Sequence, residues 1–220
     1  MKKIFLLSAL VLIFSSAAFA ASESDNLKSA YYKVKFSIFE SMPRDENKIV
    51  FLGDSLTDYV KFDELVPDLT IKNRGIAGDT TSGVLKRLDE VISLKPSKLF
   101  ILIGTNDIVF DIKADKIVSN IKKIIDTFRE KSPQTALYVQ TLFPVNHKFG
   151  DSRRPYETIR EINAGLVKLS NEINFTLIDT YSLFAEGGEL PERYTVDGVH
   201  LNGAGVVKWV ESLSTWLHEK

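Results

Sequence analysis

Lys48-Ile49-Val50-Phe51-Leu52-Gly53-Asp54-Ser55-Leu56-Thr57 is the stretch that decides the fold. Its apolar run is too short for a helix of its own and reads as a strand buried on both faces, after which Gly53, Asp54 and Ser55 supply a turn and a helix cap. Three more runs have the same character: Leu99 to Gly104, Ala136 to Gln140 and Phe175 to Asp179. A weaker one spans Thr70 to Asn73. Helical spacing fills the intervals, with Ile117, Ile121, Ile124, Ile125 and Phe128 in one stretch and Ile159, Ile162, Leu166, Leu169 and Ile173 in another. A last helix over 202–217 carries Val206, Val207, Val210, Leu213 and Leu217 on one side, with Trp209 and Trp216 as packing residues. Ahead of the first strand, 27–41 is a helix with Leu27, Tyr31, Val34, Ile38 and Met42 as its apolar face, ended by Pro43. Strands alternating with amphipathic helices call for an α/β fold whose mostly parallel sheet is covered on both faces.

Lys2 and Lys3 precede an apolar stretch from Ile4 to Phe14, and Ala18-Phe19-Ala20 has the small-x-small pattern of a cleavage site. Residues 1–20 therefore read as a signal peptide, which makes the protein exported, periplasmic or secreted. The apolar stretch falls short of the roughly 20 residues a bilayer requires, and with no cysteine for acylation no stable membrane anchor is expected after cleavage. Residues 21–220 are then one domain, with 21–43 as an N-terminal helical extension, held by packing without disulfides. Without Lys2 and Lys3, 26 basic residues face 29 acidic ones, a net charge of −3. So even a balance argues against a nucleic-acid partner.

Four polar clusters follow the strands or precede the last helix: Gly53-Asp54-Ser55-Leu56, Asn73 to Thr81, Gly104-Thr105-Asn106-Asp107, and Asp197 with His200. Parallel sheets gather such loops at the carboxyl ends of their strands. Together the clusters hold a hydroxyl, an imidazole with a carboxylate three residues away, and donors for an oxyanion, which are the parts of a serine esterase. Taken singly, each is an ordinary turn or cap; their conjunction in this order is what points to chemistry. Asp54 and Asp79 read as loop-fixing carboxylates, and His218 as a cation at a helix end. His147-Lys148 and Arg153-Arg154 read as a basic, solvated loop, the alternative being a receptor for an acidic sugar or carboxylate. Phosphate-binding glycine motifs are absent, as is the second glycine of a G-x-S-x-G elbow. Asp107, Asp111 and Asp115 lack the spacing of a calcium loop and the three histidines are scattered, so neither metal nor cofactor is expected.

These motifs resemble those of the GDSL or SGNH hydrolases from about Lys48 to Leu217. The second motif, with Gly-Asp-Thr-Thr followed by Val84, Leu85, Arg87 and Leu88, is most similar to the branch of platelet-activating-factor acetylhydrolases and sugar O-acetylesterases. The resemblance implies a three-layer, flavodoxin-like sandwich around five parallel strands. It also implies Ser55 as nucleophile, His200 as base and then acid, Asp197 as its orienting carboxylate, and an oxyanion hole from the backbone N–H groups of Ser55 and Gly78 and the amide of Asn106. The expected activity is ester hydrolysis through an acyl-enzyme on Ser55, removing short acyl groups such as acetyl from a carbohydrate, because little sequence is left for a lid or tunnel. A lysophospholipase, arylesterase or thioesterase would use the same residues. Acyl transfer to another alcohol, and an inactive glycan-binding protein retaining the fold, are the further alternatives. A histidine base predicts activity that falls on the acid side.

Overall fold

Strand β1, Ile49–Gly53, is buried along its whole length. The computed structural model describes residues 29–219. The expected signal peptide and the start of the helical extension lie outside those residues. Beside β1 run β2 (Ile71–Gly75) and β3 (Lys98–Leu102), followed by β4 (Ala136–Gln140) and β5 (Thr176–Ile178). All pairings are parallel and the order is β2-β1-β3-β4-β5. Helices on both faces complete the three layers, which is why these strands are apolar on both sides instead of alternating.

In register, Phe51 of β1 lies beside Phe100 of β3, and Phe100 beside Tyr138 of β4. Their rings stack at 4.7 and 4.5 Å between centroids. Trp209 meets this aromatic ladder edge-on at Phe51 and also packs on Phe62 and Phe143. Its indole N–H donates to Gln140 Oε1 at 2.7 Å, so the largest buried side chain leaves no polar atom without a partner. Strand β2 sits at the sheet edge and is polar because its side chains have local work. Asn73 donates to the carbonyls of Thr57 and Val60, and Arg74 pairs with Glu90.

The first helix, α1 (Ala30–Ser41), is capped by Ser29, whose hydroxyl accepts from the Tyr32 N–H. It departs from the sequence expectation in its face. Tyr32 and Phe39 are buried around Ile76 with Phe36 packed alongside, whereas Tyr31, Val34, Ile38 and Met42 are exposed. Contacts with Ile76 and the Arg74 guanidinium, 4.7 Å from the Phe39 ring, decide which stripe turns inward.

The helices between strands are α2 (Ser55–Asp58), α3 (Phe62–Leu65), α4 (Thr81–Lys86), α5 (Leu88–Ile92), α6 (Thr105–Val109), α7 (Ala114–Lys131) and α8 (Tyr156–Glu172), and α9 (Thr180–Phe184) follows β5. Helices α7 and α8 bury the expected apolar positions, Ile173 being only partly covered. The final helical stretch divides at Leu213 into α10 (Gly203–Ser212) and α11 (Ser214–His218), and Val207, expected inside, is exposed. Replacing Trp209 with Ala removes the ring that ties α10 to the sheet and should cost about 3–5 kcal/mol, measured from the urea unfolding midpoint. The same change at Trp216, which is only partly buried, should cost less.

Candidate active site

Ser55 is the first residue of α2, directly after the end of β1, and Asp54 is the helix cap, its Oδ1 accepting from the Leu56 N–H at 3.0 Å. The Ser55 N–H thus belongs to the first turn, whose donors have no partner within the helix. From the far end of the chain, His200 brings Nε2 to 2.8 Å from Ser55 Oγ. Its other ring nitrogen, Nδ1, lies 2.6 Å from Asp197 Oδ2. With the proton on Nδ1 held by the carboxylate, Nε2 presents a lone pair to the serine hydroxyl. A single short loop builds this base. Asp197 Oδ1 accepts from the backbone N–H groups of Val199 and His200, and Thr195 Oγ1 accepts from Gly198 and donates to the His200 carbonyl. Gly198 allows the turn, with φ of 86° and no room for a Cβ against the Asn146 carbonyl. Burial pushes the Asp197 carboxyl up, but the hydrogen bonds from the His200 ring and from the His200 and Val199 N–H groups outweigh it and hold its pKa below the ordinary value.

The loop after β2 turns at Gly78, whose φ of 80° suits glycine. Just before that turn it is anchored to the β1–α2 segment, by the Ala77 N–H donating to Asp58 Oδ2 and the Ile76 N–H donating to the Gly53 carbonyl. Asn106, in the first turn of α6, donates from Nδ2 to the Asp79 carbonyl at 3.0 Å, next to Gly78. Its Oδ1 accepts from Arg154 Nη2 at 3.1 Å. All four sequence clusters therefore meet at the carboxyl edge of the sheet. Ser55, His200 and Asp197 are in direct contact, and Gly78 and Asn106 are joined to them through the loop anchors.

Asp79 does fix its loop, accepting from Thr80 N–H and from Arg87 Nε. Arg154 is not solvated. It is only 7% exposed and donates to the Thr105 carbonyl and hydroxyl as well as to Asn106 and Asp151. Arg153 stays exposed, paired with Asp151, while the His147 ring stacks on Tyr156. Arg87 and Arg154 build the site through partners remote in sequence, Gly53 and Arg74 for the one and Thr105 and Asn106 for the other, whereas Thr195 acts within its own loop. His218, as expected at a helix end, donates from Nδ1 to the Ser214 carbonyl, and its other nitrogen meets Asp68. These two contacts, the backbone one first, raise its pKa.

A model of the GDSL-like lipase/acylhydrolase family matches residues 51–207. Over 171 residues the chain is 30% identical to platelet-activating factor acetylhydrolase IB subunit alpha2 of Homo sapiens, a span covering 74% of this chain and 72% of that protein. A solved structure from Streptococcus pneumoniae, provisionally described as a platelet activating factor, is 29% identical and superposes with a TM-score of 0.80 over 89% of this chain and 96% of its own. An acetylxylan esterase from Geobacillus stearothermophilus shares the fold at 20% identity, with a TM-score of 0.63 over 81% of this chain and 98% of its own.

Asp54 yields a test of the electrostatics beside Ser55. It is fully buried, and its Oδ2 has no hydrogen-bond partner. Burial pushes its carboxyl up to about 7; Asp79 and Asp107 push the same way, against the Leu56 N–H and the Arg154 guanidinium. The folded protein thus holds this proton more tightly than the unfolded chain, where the carboxyl titrates at about 3.9. The associated stability is fully present below about pH 4 and is lost as the pH rises through about 7. Asp54→Asn keeps the acceptor for Leu56 and cannot ionise. Between about pH 4 and 7 the wild-type unfolding midpoint should fall relative to the variant's, by on the order of 1.4 kcal/mol per unit of pKa shift, and run parallel above. A constant offset across that range would show Asp54 charged throughout.

Proposed function

Since this chain belongs to the GDSL-like lipase/acylhydrolase family and is a carboxylic ester hydrolase, we propose that it works through an acyl-enzyme on Ser55. The observation that carries this reading is the unbroken relay from Ser55 Oγ to His200 Nε2 at 2.8 Å and from His200 Nδ1 to Asp197 Oδ2 at 2.6 Å. Ser55 Oγ attacks the ester carbonyl as its proton passes to Nε2, and Asp197 stabilises the imidazolium. The tetrahedral oxyanion takes hydrogen bonds from the N–H groups of Ser55 and Gly78 and from Asn106 Nδ2. Collapse expels the alcohol, which receives the proton from Nε2. Water, deprotonated by His200, then attacks the acyl group and frees Ser55.

The proposed substrate is a short acyl ester, an acetyl group on a carbohydrate, met by an exported enzyme. Beside Ser55 and His200 the recess lined by Leu56, Tyr59, Val60, Leu201 and Val206 holds only about 20 Å³, room for roughly one methyl-sized group. The 30%-identical relative is named an acetylhydrolase, which supports the same acyl length. The Tyr59 ring, 62% exposed and 5.5 Å from the His200 ring, offers an aromatic face on which a sugar can rest. Export is tested by sequencing the mature protein, which should begin at Ala21.

A fluorophosphonate probe should label Ser55, and Ser55→Ala should lose both the label and on the order of 10⁴–10⁶-fold in kcat. Asn106→Ala should lose about 10²–10³-fold in kcat with the fold retained by circular dichroism. Among p-nitrophenyl esters the rate should drop beyond acetyl or propionyl, and acetylated oligosaccharides should be hydrolysed faster than acetylated phospholipids or lysophospholipids. Absence of a Ser55 adduct leaves the glycan-binding alternative, and preference for long acyl chains ends the acetyl reading.

A further inference from the structure

The Asn106 side chain has two ends of nearly the same shape, yet only one of them can serve an oxyanion. Rotation of the amide by half a turn exchanges the N–H donors for an acceptor that repels negative charge. Arg154 settles which end faces where. Its Nη2 donates to Oδ1 at 3.1 Å, and the opposite end gives one Nδ2 proton to the Asp79 carbonyl at 3.0 Å. An amide nitrogen has two protons, so a second remains for an incoming oxyanion.

The guanidinium is itself held rigidly. Its Nε donates to the Thr105 carbonyl at 3.2 Å and to the Thr105 hydroxyl at 3.1 Å, and Nη1 pairs with Asp151 at 2.7 Å. At 7% exposure the charge is little screened by water. A cation on Oδ1 also draws electron density from the amide, which makes its N–H a better donor. The planar fork does both jobs at once, reaching along α6 from Thr105 to Asn106, and a lysine ammonium has no such reach in two directions.

We propose that Arg154 is a positioning residue for ester hydrolysis, fixing and polarising the Asn106 amide; this rests on the reading of Asn106 as an oxyanion donor. Arg154 touches no reacting atom, and among the proposed oxyanion donors it is Asn106 that it hydrogen-bonds. Its loss should therefore slow the chemical step, leave substrate binding in place, and vanish once Asn106 has been removed.

The test is steady-state hydrolysis of p-nitrophenyl acetate by wild type, Arg154→Met, Arg154→Lys, Asn106→Ala and the double variant Arg154→Met/Asn106→Ala, with unfolding midpoints measured alongside. Arg154→Met should lower kcat by about 10- to 100-fold, less than removal of the donor itself, with KM changed by less than about twofold. Arg154→Lys, which keeps the charge opposite Asp151, should stay folded and lose an intermediate amount, and it decides the matter if the methionine variant does not fold. In the Asn106→Ala background the methionine substitution should cost less than about twofold. A full penalty in that background, or wild-type kcat in a folded Arg154 variant, overturns the positioning role while the oxyanion reading stands. Wild-type kcat for Asn106→Ala overturns both.

Discussion

Everything at the carboxyl edge of the sheet depends on one buried ion pair, Arg87 Nε to Asp79 Oδ2 at 2.8 Å, with side chains 1% and 0% exposed. Burying a guanidinium and a carboxylate is costly, and such a pair stabilises only when the remaining donors are used. Here they are. Arg87 Nη1 donates to the Arg74 carbonyl at the end of β2, and Nη2 to the Gly53 carbonyl at the end of β1. One side chain on the α4–α5 segment thereby joins the strand that leads into Ser55, the strand that leads into Gly78, and the residue that follows Gly78. The Asp79 carbonyl in turn holds Asn106. Were either partner of the ion pair removed, the other would be left as an uncompensated charge beneath the site.

A second clasp runs in parallel. Asp107 accepts from the Thr81 N–H and hydroxyl, and Asn120 of α7 donates to that same hydroxyl oxygen. The two central motifs therefore divide their residues between tasks. Gly78 and Asn106 are the proposed oxyanion donors, while Asp79, Thr81 and Asp107 tie the loops that carry them to one another and to the long helix α7. Residue types that cap helices or close turns in isolation become a framework because each finds its partner in the other motif. Such partners, fixed before substrate arrives, let donors stabilise developing charge without reorganising at the moment of reaction.

The features legible in the sequence are those whose cause is local. The buried strands were readable because burial on both faces leaves four or five apolar residues in a row, and Ala136–Gln140 falls at the expected bounds. Asp197 and His200 were readable because one turn suffices to bring them together. Helix α1 shows where periodicity stops. Tyr31, Val34, Ile38 and Met42 are one helical stripe and Tyr32, Phe36 and Phe39 another, so spacing alone cannot select between them; Ile76 and Arg74, from β2 and its following loop, make the selection. Arg154 was illegible for the same reason. Beside Arg153 in a basic loop it has the composition of a solvated segment, and only Thr105 and Asn106, 49 and 48 residues earlier, account for its burial.

The charges gathered under the site also bear on the chemistry. Asp54, Asp79 and Asp107 are all buried there, and so are Arg87 and Arg154. Arg87 is committed to Asp79 and Arg154 to Asp151, while Asp107 takes the hydrogen bonds of Thr81. Asp54 receives a single backbone N–H and has one oxygen with no partner, so among these three acids it is the one placed to carry a proton. On the proposed mechanism this favours turnover. A negative charge on the residue next to Ser55 would oppose the oxyanion in a setting where little water screens it, whereas a neutral carboxyl caps α2 through the same Oδ1 and adds no repulsion. Caps can be built from neutral serine or asparagine as well; burial and the neighbouring carboxylates raise the Asp54 carboxyl to about 7, so below that pH the acidic cap carries its proton and adds no negative charge one residue before the proposed oxyanion site.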